Sequence, residues 1–122
     1  MKSSELRIGN KVLIGGSLKE EAIVLSISNK LIGYETESRK GECNIDWIKP
    51  ILLTNEWLLR FRFKQTKEDS NVNWFTKNGL DIVIGEVNFI VFDHLVLKHF
   101  KYVHQFQNLY FSVIGKELNL KI

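Results

Sequence analysis

The stretch YVHQFQNLYFSVIG, residues 102–115, decides how the chain closes its core. Val103, Phe106, Tyr110 and Val113 recur at spacings of three and four, with Tyr102, Leu109 and Ile114 beside them. A stripe of that period is the mark of an amphipathic helix laid on a core. Gly115 supplies a left-handed stop, which makes the helix about twelve residues, or about 18 Å, long. Its rings are expected to cover a sheet. The opposite side holds His104, Gln105, Gln107, Asn108 and Ser112. It is expected to be wet, and His104, Gln105, Gln107 and Asn108 are candidate contacts for a partner protein or a polynucleotide.

The sheet to be covered lies upstream. Residues 63–66, 72–76, 81–84, 87–92 and 95–97 are β-branched and aromatic runs, and DIVIGEVNFIVF joins two of them through Gly85-Glu86, as a hairpin does. Val87, Phe89 and Val91 alternate, while Ile90 and Phe92 load the other face, so this strand is expected to be covered on both sides, with the last helix as the cover. Before these strands, LTNEWLLRF opens a helix. Thr54 can cap it, Glu56 favours the positive dipole end, and Leu53 can staple onto Leu58. Trp57, Leu58 and Phe61 fall on one side, whereas Arg60 and Arg62 point elsewhere.

Further upstream, residues 11–14, 22–28, 32–37 and 43–48 read as short strands broken at Gly15-Gly16, Ser28-Asn29-Lys30 and Arg39-Lys40-Gly41. A small SH3-like barrel is the most economical form for them, because a rolled sheet hides its edges. The chain is therefore expected to be an α+β protein: an N-terminal SH3-like β unit over residues 1–50, a short capped helix, a second antiparallel layer and a closing C-terminal helix. Residues 51–122 would share a core with the first unit in a single domain spanning 1–122.

Composition removes several kinds of chemistry. With 44% hydrophobic and 25% charged residues, 122 positions suffice for an ordered core. A net charge of +3 permits nucleic acid without the dense basic stripe that many phosphate contacts require. One cysteine, Cys43, leaves no internal disulfide, and a reducing cytoplasm suits the chain. The N-terminal residues lack a signal-peptide core, and no apolar run approaches the roughly 18 residues of a membrane helix.

Catalytic patterns are missing. There is no GxSxG, GxxxxGK[ST] or GxGxxG, and Cys43 between Glu42 and Asn44 reads as a small buried hydrophobe. His94, His99 and His104 recur every five residues, a spacing that matches neither a helix face nor a strand face, so no metal or cofactor is expected. RFRFK at residues 60–64 interleaves cations with rings. Arg60, Arg62 and Lys64, widened by Lys98 and Lys101, are the candidate nucleic-acid contacts, although a strand with Phe61 and Phe63 turned inward gives the same alternation.

Three segments, LRIGNKV at 6–12, PILLTNEWLLRFRF at 50–63 and YVHQFQNLYFSVIGKEL at 102–118, resemble a group of small uncharacterised proteins of Bacteroidota phages, prophages and mobile elements. That group carries the LRIGN start, an LTxEWLxxFxF centre and a VHQxQNLYFxxxGxEL close in the same order. Its members often have Gly near the place of Arg62, and the Arg here sets a turn at that point in question. The resemblance implies a source and a layout and lends no catalytic residue. Together with the absent motifs, it leads to the expectation of a non-enzymatic binding or adaptor protein that contacts a host or phage protein. A nucleic-acid-binding module is the alternative.

Overall fold

The computed structural model describes residues 1–15, 19–69, 72–85, 88–92, 95–97 and 100–118, with the backbone alone at 69, 92 and 95–97. The protein is α+β, with two five-stranded antiparallel sheets and a C-terminal helix. It divides into two compact units, one made of Met1–Leu52 and Tyr102–Ile122, the other of Leu53–Lys101.

In the first unit, β1 (Lys11–Ile14), β2 (Glu20–Ser28), β3 (Leu31–Glu35) and β4 (Lys40–Asn44) form a meander, and β5 (Ile48–Lys49) returns to pair with β1. The expected strand at 43–48 is in fact the end of β4, a 3₁₀ turn (Ile45–Trp47) and the start of β5. Asn44 Oδ1 accepts the Asp46 N–H at 2.9 Å and so starts the turn, which leaves Ile45 and Ile48 buried and Trp47 outside. Val12, Ile14, Ala22, Val24, Ile32, Tyr34, Ile45 and Ile48 make the core with Leu6. Alternation along β2 and β3 slips at a bulge between Val24 and Ser26.

The last helix, α2 (Val103–Ile114), belongs to this first unit and packs on β1. The sequence groups it with residues 51–122, which is a different partition. Gly115 takes φ 82° and its N–H donates to the Phe111 carbonyl at 2.8 Å, so the helix stops where the glycine predicts. Val103, Phe106 and Tyr110 of the expected stripe are buried.

The second unit opens with α1 (Asn55–Arg60). Thr54 holds the N-cap position, yet its hydroxyl accepts no cap bond; its carbonyl takes the Leu58 N–H at 3.2 Å. Trp57, Leu58 and Phe61 are buried, as their spacing predicts. The strands β6 (Lys64–Asp69), β7 (Val72–Lys77), β8 (Leu80–Ile84), β9 (Phe89–Phe92) and β10 (Leu95–Leu97) follow as a simple meander. Glu86 and Val87, and with them the expected Gly85-Glu86 connection, lie outside the described residues, but β8 and β9 do pair, with Val83 opposite Phe89.

Arg62 lies between α1 and β6 with φ 67°, the left-handed region that favours glycine. The turn is therefore present despite the side chain, at a cost of roughly 1 kcal/mol for crowding Cβ against the following carbonyl. Lys77 adds to it. Its ammonium donates to the Phe61 carbonyl at 2.6 Å, and burial followed by the nearby Arg62 charge pushes its pKa down. Arg62→Gly is expected to raise the unfolding free energy by about 0.5–1 kcal/mol, since relief of that crowding outweighs the greater chain entropy of glycine. A urea midpoint below wild type would contradict this.

Candidate binding cleft

The first unit carries a cleft of about 200 Å³ lined by Ile14, Gly15, Tyr34, Arg39, Cys43 and Trp47. Each wall has a local cause. Trp47 is delivered by the 3₁₀ turn and stays 54% exposed. Tyr34 on β3 lies opposite Gly41 on β4. A Cβ at Gly41 would come within 2.9 Å of the Tyr34 hydroxyl oxygen and 3.1 Å of its ring, so the glycine is what lets the ring lie across the strand. Arg39 places its guanidinium carbon 5.7 Å from the centre of that ring and donates to Glu20 at 2.9 Å. Lys40 likewise meets Glu35 at 3.3 Å, so the cations at this rim are paired within the unit.

Cys43 is half-buried in the same cleft. Burial pushes its thiol pKa up, with Arg39 acting in the opposite sense, and a thiol held above its usual value is protonated at neutral pH. It serves as an apolar wall. On the other face of β2–β4 a more open depression of about 320 Å³ is bounded by Leu25, Ser26, Gly33 and Glu42. The Ser26 hydroxyl fills the space above Gly33, where a Cβ would meet it at 2.2 Å.

Only part of the polar side of α2 is the wet surface expected of it: Ser112 is exposed, and Gln105 and Asn108 are half-buried. His104 and Gln107 are each 1% exposed. Gln107 accepts the Lys11 N–H at 2.8 Å and donates to the carbonyls of Gly9 and Leu118 at 3.1 and 2.8 Å. Asn108 accepts from the Asn10 amide at 2.9 Å and donates to the Glu5 carbonyl at 3.0 Å. Gln105 turns back to take the Tyr102 N–H at 3.1 Å and caps the helix. Arg7 completes the clamp: it pairs with Glu117 and lies 4.0 Å over the Phe111 ring. Amides carry both a donor and an acceptor, so this face satisfies loop backbone where water would otherwise do so. LRIGNKV and VHQFQNLYFSVIGKEL are thus the two halves of one internal clamp.

The basic candidates fall in the second unit. Arg60 stacks 3.9 Å over the Trp57 ring, while Arg62, Lys64 and Lys101 are exposed. Lys98 lies outside the described residues, as do His94 and His99. Among the described residues no three His, Cys, Asp or Glu side chains converge to hold a metal, and no helix is long and apolar enough to cross a membrane. Trp47 was not singled out by the sequence reading. Its signal is Ile45 and Ile48 at a spacing of three behind an Asn cap, a 3₁₀ pattern that expels the two residues between, Asp46 and Trp47.

Compared with known proteins, the chain matches no protein-family model, no curated protein and no solved structure.

Proposed function

We propose that the protein is a non-enzymatic binding module, of phage or mobile-element origin, that takes an extended segment of a host or phage polypeptide in the cleft beside Trp47. The observation that carries this is an exposed tryptophan at the mouth of a cleft sized for one side chain. Exposed Trp and Tyr beside a pocket are the side chains that most often anchor protein interfaces. Arg39 is already paired with Glu20, so the cleft favours an apolar or aromatic side chain over an anion. The reading is supported by a meander whose last strand returns to the first through a 3₁₀ turn, a connectivity compatible with an SH3-like scaffold of the kind that presents aromatic grooves to extended peptides.

The test is selection from a displayed random peptide library. The intact protein should enrich a consensus, and Trp47→Ala should weaken the selected peptides at least about tenfold, the loss typical of a hot-spot ring. The variant should keep its thermal midpoint, because Trp47 is half outside. Absence of a consensus, or peptides that bind Trp47→Ala equally well, would remove this reading.

A further inference from the structure

In the second unit, the register of β6–β9 sets Lys67, Trp74, Val83 and Phe89 in one row across the sheet. The row beside it on the same face runs Lys64, Thr76, Asp81 and Val91. The other face turns Phe75, Ile82 and Ile90 into the core, all fully buried. Alternation then leaves Trp74 outward, and it is 37% exposed. Phe89 is half-buried, and Val83 between the two rings is covered. Two strand spacings separate Trp74 from Phe89, about 10 Å.

Two cations lie toward the β6 edge of this face. Lys64 and Lys67 are exposed and form no ion pair with a described residue. Asp81 is the one acid in these two rows, two strands away from Lys64.

We propose that this face of the second unit binds single-stranded nucleic acid, with bases stacking on Trp74 and Phe89 and phosphates meeting Lys64 and Lys67. Two rings held apart by an aliphatic floor, with exposed cations at the edge, match a ligand in which every planar unit brings its own negative charge. A duplex keeps its base faces stacked inside and offers no such surface. An acidic polypeptide would satisfy the lysines but has no use for the paired rings. Recognition of this kind tolerates sequence, because every base has a π-face.

The experiment is fluorescence anisotropy of a short labelled oligo(dT) with the full chain across a salt series. Binding is expected, with log affinity falling against log salt at a slope of about −1.4 for two phosphate contacts on a single strand. Trp74→Ala should weaken binding about tenfold or more, the scale of one lost stack. Lys64→Ala with Lys67→Ala should weaken it and flatten the slope. Trp47→Ala should leave it unchanged, which keeps this site distinct from the cleft of the first unit. Lys64 and Lys67 are exposed, so their variants should keep their thermal midpoints, whereas Trp74 is only 37% exposed and its variant is assayed well below its own midpoint. No binding at low salt, a Trp74→Ala variant that binds as wild type, or equal affinity for duplex DNA or for polyglutamate would overturn the proposal.

Discussion

Gln107→Ala is expected to remove about 3–5 kcal/mol of unfolding free energy, enough to leave a small protein partly unfolded at ambient temperature. The size follows from what remains behind. The Lys11 N–H and the Gly9 and Leu118 carbonyls lose their partner together, and a buried polar group without one costs about 1–3 kcal/mol. The bond to Gly9 is only part-buried, so water can recover some of the loss there and the total falls short of three full penalties. Gln107→Glu should be little better. It keeps an acceptor for Lys11 but turns a carboxylate toward two carbonyls. Asn108→Ala, at a more exposed place on the same clamp, should cost only about 1 kcal/mol. Urea unfolding followed by circular dichroism measures all three, and hydrogen exchange at the Lys11 amide reports the bond directly. A Gln107→Ala loss below about 1 kcal/mol would mean that these bonds do not hold the helix to the N-terminal segment.

That clamp marks the boundary of what the sequence could disclose. The stripe of Val103, Phe106 and Tyr110 is legible because a helix writes its period into side-chain type. The partners of Gln107 are backbone atoms, and the Lys11 amide lies 96 positions away, so no local pattern distinguishes an amide facing water from one facing a loop. Residues 43–48 fail for a different reason. Ile45 and Ile48 suit a strand by type, and only their spacing of three betrays the turn that pushes Trp47 out. Arg62 shows the converse: the backbone keeps a turn that the side chain argues against, because Leu58 and Phe61 before it and Phe63 after it are all buried and fix the chain on both sides. Trp74 was within reach, since Phe75 facing inward obliges its neighbour to face outward. The polar face that the sequence offers as a contact surface is thus largely spent on the clamp, and the proposed sites rest instead on Trp47 and Trp74, which the core leaves partly outside.

Acidification supplies the second large effect, through His104. The ring is 1% exposed, stacks near-parallel to Tyr102 at 6.0 Å, and neither nitrogen has a hydrogen-bond partner among the described residues. Burial pushes its pKa below the usual value of 6.5; Glu5 opposes this and the N-terminal ammonium reinforces it. In the window from 6.5 down to the lowered value, the unfolded chain binds a proton that the folded chain refuses. Stability is then complete above 6.5 and is lost as pH falls through that window. His104→Leu, of similar bulk and without polar atoms, should stabilise the protein by about 1–2 kcal/mol at neutral pH, the scale of one unsatisfied buried group. It should also remove the dependence between pH 6.5 and the range near 4 where carboxylates titrate. Urea midpoints at several pH values for wild type and variant give the comparison. Parallel curves would assign the acid sensitivity to other groups and leave His104 neutral for a reason other than its burial.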